Sequence, residues 1–331
     1  YLGAGRSVVS VDLPEMAQFG DLVRVATGHD AFIEQVRNAL MAQPDSDAEI
    51  ERRKAFAAGQ TWAHRVQSLR EAAIALPRPK VSAIVLTYNN LDLTKACLDS
   101  LEQHSDDVDL EIVVVDNKST DGSPEFLSAW AASRTNVKLI LNDDNRGFAG
   151  GNNQGLEAAT GDYLVIQNND TVVTQGWAGR LVNHLRNAPE IGIIGPSTNN
   201  IGNEARVPTQ YKTLADMPAE AVNITERRLG KRFELQTVAF FCTMLPRSTY
   251  EKCGPMSLDY GLGFFEDDDY CRMVEQAGLK VVCAEDVFVH HHLSASFNKL
   301  GDERKRALME KNRAIYEAKW GPWKPHEYRK H

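Results

Sequence analysis

A chain of 331 residues with 43% hydrophobic and 25% charged side chains has an ordinary globular composition, with room for one large domain or two smaller ones. A formal net charge of −8 argues against a general nucleic-acid binder, and no run approaches the roughly 18–20 apolar residues of a membrane span. No secretory signal opens the sequence, and its five cysteines (97, 242, 253, 271 and 283) are odd in number without a CxxC pair. The expectation is a cytoplasmic protein with reduced thiols and no structural zinc.

Residues 1–78 differ in character from the rest. A glycine turn and a strand (YLGAGRSVVSVDL) lead to VRVAT, then to a predicted helix over about 29–42 and a charged helix over about 46–75. The stretch 76–80, with prolines at 77 and 79, favours extended chain and reads as a linker. The predicted organisation is an N-terminal extension (1–78), a main domain (79–300) and a C-terminal helix and tail (301–331).

Four apolar runs then end in polar clusters: VSAIVLTYNN (81–90), LEIVVVDNKSTDG (110–122), VKLILNDDNRG (137–147) and YLVIQNNDT (163–171). Continuous β-branched runs of this kind read as buried parallel strands, and helical stretches between three of them complete βαβ units. A helix over 92–103 places Leu93, Ala96, Cys97 and Leu101 on one face; another starts at Ser123-Pro124, with Ser123 as N-cap, and a third near Gly151. WAGRLVNHLRN reads as a helix and IGIIG as a short buried strand. Residues 196–235 lack periodicity and read as a long loop beside the site, expected to close over a bound ligand. A strand over 236–245, a short helix after residue 266, a strand ending DVFVH and an amphipathic helix over 301–319 through Leu308, Ile315 and Trp320 follow.

In open α/β sheets the ligand lies outside the carboxyl ends of the strands. Those ends carry Thr87, Tyr88 and Asn89, then Asp116 and Asn117. An Asp there accepts from a base N–H or a ribose, and acids after strands also form turns. The run from Asn145, Arg146 and Gly147 to Asn153 is glycine-rich and opens a helix, which suits a phosphate, although it lacks dinucleotide spacing. Asn168, Asn169 and Asp170 offer one carboxylate, and one carboxylate plus substrate phosphates is a usual way to hold Mg²⁺. Glu266, Asp267, Asp268 and Asp269 exceed what helix capping needs. His290, His291 and His292 end a strand on alternating faces.

The order of these motifs over about residues 80–297, closing with FFEDDDY and VHHHLSAS, strongly resembles the family 2 glycosyltransferases of GT-A fold. The resemblance implies an α/β fold with a mostly parallel central sheet flanked by helices, here with an N-terminal helical extension. It implies that Asp116 contacts the nucleotide base, that Arg146 or its neighbours approach the diphosphate, and that Asp170 binds a divalent ion, Mg²⁺ or Mn²⁺. Asn168 stands where many members carry the first Asp of D-x-D, which puts the first contact in doubt but not the metal. Glu266 and Asp267 match the family's ED pair, whose second residue is the general base. One histidine is implied as a further metal ligand: spacing from the ED pair favours His291, with His290 next. Residues 1–75 resemble the closing segment of a group 1 (GT-B) glycosyltransferase, implying fusion to an upstream module.

The implied activity is inverting transfer from a UDP- or dTDP-sugar to a glycan or lipid-linked saccharide in surface polysaccharide synthesis. Two rivals are a non-catalytic glycan-binding or assembly module and a sugar-1-phosphate nucleotidyltransferase. The second calls for a glycine-rich, basic loop after the first strand, where this sequence reads TYNNLDL. The tail around Trp320 and Trp323 interleaves aromatics with cations that suit the inner face of a membrane, although a few cations on a net-acidic protein make a weak anchor.

Overall fold

The computed structural model describes residues 1–292, 302–326 and 328. The Leu293–Ser296 part of the histidine motif and residues 327 and 329–331 of the tail lie outside the described residues. The chain forms two compact units, Tyr1–Pro77 and Arg78–His331.

In the first unit β1 (Val8–Val11) and β2 (Val23–Ala26) pair in parallel. Three helices follow: α1 (His29–Met41), α2 (Asp47–Ala58) and α3 (Trp62–Ala75). The single helix expected over 46–75 is broken at Gly59. Ser46 starts α2 with a reciprocal capping box to Glu49, and Thr61 caps α3. Arg53 of α2 is buried and bridges the Asp45 carboxylate (2.6 Å) and the Gly5 carbonyl (3.1 Å).

The second unit runs β3 (Lys80–Thr87), α4 (Leu91–Gln103), β4 (Asp109–Asp116), α5 (Ser123–Ala132), β5 (Val137–Leu141), α6 (Gly147–Ala158), β6 (Tyr163–Asn168) and β7 (Thr171–Val173). It continues with α7 (Trp177–Asn187), β8 (Ile191–Ser197), α8 (Met217–Glu226), β9 (Arg232–Glu234), β10 (Cys242–Pro246), α9 (Arg247–Cys253), α10 (Glu266–Gln276), β11 (Lys280–His291) and α11 (Asp302–Trp320). Its nine-stranded sheet has the order β5-β4-β3-β6-β10-β8-β11-β7, with β9 alongside β11. Strands β3, β4, β5, β6, β8 and β11 point one way and β7, β9 and β10 the other, so the sheet is mostly parallel.

Strand β3 is flanked by β4 on one side and β6 on the other, so the chain order reverses around it, where open α/β sheets form their crevice. The register sets Thr87 beside Asp116 and Leu86 beside Asn168, bringing three polar strand ends to one edge. Val81, Ala83 and Val85 pack into the core on one face and Ile84 into that on the other. The apolar residues point both ways because both faces are covered, which is why these strands read as unbroken hydrophobic runs.

Several predicted boundaries shift. The buried face of α4 is Thr94, Cys97, Leu98 and Leu101, with Leu93 and Ala96 only partly buried. Gly122, in a left-handed conformation, caps α5, and Ser123 is already its first residue, its hydroxyl bonded to Asp121. Only 242–246 of the strand expected over 236–245 is a strand: Val238, Phe240 and Phe241 are buried as irregular chain, which composition does not separate from a strand. The stretch 196–235 is not one loop, for it contains α8, which buries Met217, Ala221 and Thr225 at helical spacing, and β9.

Helix α6 begins at Gly147 rather than near Gly151 and lies unusually close to β3. A Cβ on Gly151 would collide with Leu86, and one on Gly155 with Ile84, a fully buried, β-branched residue that cannot swing away. Helix propensity alone favours Ala over Gly by about 0.8–1.0 kcal/mol, whereas overpacking a tight core costs about 1–3 kcal/mol. Gly155→Ala is therefore expected to lower stability; a denaturant midpoint equal to or above that of the parent chain would contradict this close packing.

Candidate active site

The strand-end residues form one hydrogen-bonded layer. Buried Thr87 sits 3.2 Å from the Thr94 hydroxyl, and the Asn169 amide donates to Thr94 (2.9 Å) and to the Asn89 carbonyl (3.2 Å). Asn89, at φ 59°, donates its N–H to the Ser119 hydroxyl (2.7 Å). Ser119 in turn donates its hydroxyl (2.5 Å) and its N–H (2.8 Å) to the Asp116 carboxylate. Asp116 thus organises the turn after β4. Asn117, also buried, donates to the Gly147 carbonyl (2.9 Å) and accepts from Asn142 (2.9 Å), while Tyr88 is exposed.

Asn145, Arg146, Gly147 and Asn153 line a groove of about 540 Å³ that none of the four acids of α10 borders. Asn145 accepts from the Gly147 N–H (2.9 Å), and Asn153 makes two bonds to the Met256 backbone (2.8 and 2.9 Å). Gly147, at φ 70°, abuts Gly261 so tightly that no side chain fits. These residues therefore anchor the loop that leads to α10, and the half-exposed Arg146 keeps its guanidinium 3.5 Å from Asp144.

A second cleft, of about 340 Å³, gathers Asn168, Glu266, Asp267 and His291 from distant parts of the chain. Asp170, in the turn between β6 and β7, lies beside it with a carboxylate oxygen 3.4 Å from His291 Nε2. His291 Nδ1 is 3.0 Å from the Asn200 carbonyl, an acceptor only, so Nδ1 carries a proton and Nε2 is the ring nitrogen that faces Asp170. The ring is stacked on Phe241 at 5.0 Å, which fixes its plane. An imidazole nitrogen and a carboxylate oxygen 3.4 Å apart are two groups that would serve as ligands to a divalent cation. Among the described residues no group of three or more His, Cys, Asp or Glu forms a fuller cage.

Strand alternation separates the histidines. The next residue back, His290, is bonded through Nδ1 to the Tyr211 hydroxyl at 2.5 Å, and burial with two neighbouring imidazoles pushes its pKa down to about 4. His292 packs against it edge-on at 4.4 Å.

The acids open α10 from a strained turn. Phe264 and Phe265 both have left-handed backbones, φ 74° and 77°, a conformation costly for aromatic residues and common at functional sites. Asn312 of α11, fully buried, holds it: its amide donates to the carbonyls of Tyr260 (2.7 Å), Gly263 (2.7 Å) and Phe264 (3.2 Å). Phe265 packs on Tyr316 and Trp323 with ring centroids 5.7 and 5.5 Å away.

The four carboxylates then divide. Asp269 accepts from the Trp320 indole (2.6 Å) and pairs with Lys319 (2.8 Å). Asp268 accepts from the Thr237 hydroxyl (3.0 Å) and the Trp323 indole (3.2 Å), with His326 Nε2 at 3.3 Å. Asp268 and Asp269 thereby fasten the C-terminal helix and tail; Asp269 is turned away from the cleft, which Glu266, Asp267 and Asp268 line. Burial, followed by the charge of Asp268, pushes the Asp267 pKa up to about 7. Burial, followed by the charge of Asp267, pushes Glu266 up to about 8. Since both fold into sites where ionisation is harder than in the unfolded chain, they oppose folding increasingly as pH rises above the ordinary carboxyl range.

Thr237, Asn312 and His326 were not singled out by sequence, and Asp268 and Trp323 were noted only as members of the acidic run and of the aromatic tail. The one signal was Asn312, a polar residue on the apolar face of the last helix between Leu308 and Ile315.

The mostly parallel mixed sheet, with polar strand ends over a cleft, is the arrangement of the GT-A fold. The mannosyltransferase PcManGT of Pyrobaculum calidifontis, solved with GDP-Man and Mn²⁺, superposes with a TM-score of 0.52 at 21% identity, over 79% of this chain and 72% of that one. GalNAc-T7, solved with UDP, GalNAc and Mn²⁺, gives a TM-score of 0.52 at 16% identity, over 65% of this chain and 44% of that one. At these identities the likeness is one of fold.

The sequence model of the family described as "Glycosyl transferase family 2" matches residues 82–254, more than half of the chain, and the chain belongs to that family. Glycosyltransferase AglE of Haloferax volcanii is 24% identical over 215 residues, 64% of this chain and 67% of that protein. The GalNAc(5)-diNAcBac-PP-undecaprenol beta-1,3-glucosyltransferase of Campylobacter jejuni is 31% identical over 99 residues, 30% of this chain and 32% of that protein. The poly(ribitol-phosphate) beta-glucosyltransferase of Bacillus spizizenii is 35% identical over 96 residues, 28% of this chain but only 15% of its own length.

Replacing Asn312 by Leu preserves volume but leaves buried carbonyls without a donor, at about 1–3 kcal/mol for such a loss. Asn312→Leu is expected to lower the unfolding free energy by about 2 kcal/mol. Equilibrium denaturation that returns the parent value would mean that the left-handed turn holds itself.

Proposed function

We propose that the chain is an inverting, metal-dependent glycosyltransferase that moves a sugar from a UDP- or dTDP-linked donor to a hydroxyl of a glycan or lipid-linked saccharide. The observation that carries this reading is the cleft in which Asp267, with its raised pKa, lies alongside His291, while His291 faces Asp170.

Asp267 takes the proton of the acceptor hydroxyl as that oxygen attacks the anomeric carbon; the new C–O bond forms on the face opposite the breaking bond to the diphosphate. A base with a pKa near the working pH is well matched to this step, which typically contributes about 10²–10⁴-fold. Glu266, beside it, has its own pKa raised to about 8 by burial and the charge of Asp267, so it holds its proton more readily than Asp267 does and is assigned to the catalytic pair as its protonated partner. Asp170 and His291 would hold the divalent ion, Mg²⁺ or Mn²⁺, which when bound neutralises charge on the departing diphosphate. Thr87, Tyr88, Asn89, Asp116, Asn117, Asn168 and Asn169 are assigned to the nucleotide-sugar side, supported by their convergence at the β3, β4 and β6 ends. Asn145, Arg146, Gly147 and Asn153 are assigned to the diphosphate side through the adjoining groove.

An acceptor on a lipid carrier is supported by the name of the Campylobacter relative. No helix among the described residues is long and apolar enough to cross a membrane. The proposed place of action is the cytoplasm, at the inner face of the membrane, with any contact there peripheral. The domain boundaries are proposed as 1–78, 79–300 and 301–331. Residues 1–78 are assigned to the tail of an upstream glycosyltransferase module. The parallel pair β1–β2 supports this, because parallel strands normally belong to a larger covered sheet.

The test is a donor screen followed by kinetics. In the wild type kcat/KM is expected to rise with pH through about 7 and level off above it, as Asp267 loses its proton. Asp267→Asn is expected to slow transfer by about 10²–10⁴-fold with metal-dependent UDP binding unchanged. Transfer at the wild-type rate would remove Asp267 from the mechanism. Calorimetry showing no metal-dependent nucleotide binding by the wild type would favour a non-catalytic module.

A further inference from the structure

The polar residues lining the acidic cleft come from strand ends (Asn168, His291) and the start of α10 (Glu266, Asp267, Asp268), and a third set lies beyond residue 300, namely Met309, Trp323 and His326. The third set lies outside the segment matched by the family, residues 82–254. We infer that this C-terminal wall is the subsite for the acceptor saccharide, with Trp323 as its specificity-determining residue. The assignment rests on Asp267 being the base, because the acceptor hydroxyl must lie within hydrogen-bond reach of it.

The geometry supports it in three ways. First, Trp323 and His326 are held next to the base: the Trp323 indole N–H (3.2 Å) and His326 Nε2 (3.3 Å) meet the same oxygen of Asp268, the residue after Asp267. A ring seated against them therefore lies beside Asp267.

Second, the wall is rigid before anything binds. The Trp323 backbone N–H donates to Glu317 (3.1 Å), and its ring packs against Phe265 (5.5 Å) and His326 (5.7 Å), with the Arg313 guanidinium 5.6 Å from its centroid. Ordering such side chains in advance removes a cost that binding would otherwise meet.

Third, the chemistry matches. A saccharide presents C–H faces along with hydroxyls, and this wall sets an indole and the Met309 thioether beside imidazole and carboxylate groups. Trp323 and His326 remain partly exposed although Asp268 is buried, so the wall has surface to offer a ligand.

The experiment uses the full chain with UDP and Mg²⁺, and saturation-transfer NMR with the methyl glycosides of glucose, galactose, mannose, rhamnose and N-acetylglucosamine as probes. The wild type and Trp323→Phe are expected to transfer saturation to at least one glycoside, and Trp323→Ala to lose about tenfold in affinity for it, equivalent to about 1.4 kcal/mol. UDP affinity by calorimetry is expected to stay unchanged in all three. Two outcomes would overturn the inference: no saturation transfer in the wild type, or equal transfer in wild type and Trp323→Ala. A fall in UDP affinity on losing Trp323 would also overturn it, by assigning the wall to the nucleotide. Thermal unfolding of Trp323→Ala separates local loss from misfolding, and Trp323→Leu, which fills the space without an aromatic ring and is expected to show the same loss, takes its place if the Ala variant does not fold. Asp267→Asn transferring at the wild-type rate, with the Trp323 result as expected, would sink the base while leaving the subsite standing.

Discussion

The cleft depends on one side-chain amide. Asn312 supplies donors to three carbonyls of the 260–264 turn and so holds two consecutive phenylalanines in left-handed backbone conformations. Without such a clamp each of those residues would relax toward the β or right-handed region, favoured by about 1–3 kcal/mol. Relaxation would rotate the first turn of α10 and with it all four acids. Strain here is local and its support lies on another helix about fifty residues away in sequence, so α11 belongs to the site as much as α10 does.

Four adjacent carboxylates at one helix start would repel one another if all were left to the same cleft. The fold lowers that cost by giving two of them cationic or hydrogen-bond-donating partners: Asp269 takes Lys319 and Trp320, and Asp268 takes the Thr237 hydroxyl, Trp323 and His326. Asp267 retains a bond from the Asp268 N–H (3.0 Å) and the favourable end of the helix dipole. Burial and its charged neighbour outweigh both, which is why its pKa moves up and not down. The same contacts that neutralise Asp268 and Asp269 carry the aromatic tail to the cleft.

The Asp170–His291 pair shows how sheet topology does what sequence distance hides. Asp170 follows β6, His291 ends β11, and the antiparallel β7–β11 register sets His291 opposite Thr171. Asn200, from the stretch between β8 and α8, fixes the imidazole tautomer through its carbonyl, and Tyr211 from the same stretch engages His290 on the other face. That stretch is therefore tied to the site through both histidines.

The sequence by itself determined the α/β class and four parallel strands, within the runs 81–90, 110–122, 137–147 and 163–171, because strands buried on both faces must be continuously apolar and must end in polar turns; the order of the motifs carried the resemblance to the family. It also marked Asp170, the ED pair and the histidines by residue type and order. Only the tertiary structure decided which acids line the cleft, which histidine meets Asp170, and that Asp116 is bonded to Ser119, Asn117 to Gly147 and Asn153 of α6 to the Met256 backbone. It also decided that Trp320 and Trp323 fold back onto Asp269 and Asp268 instead of standing out as surface aromatics. The physical reason is range. Strand and helix signals arise from neighbours within a few residues, whereas these assignments rest on contacts between segments tens to over a hundred residues apart, such as Asp268 with His326 or Asp170 with His291, which no local pattern encodes.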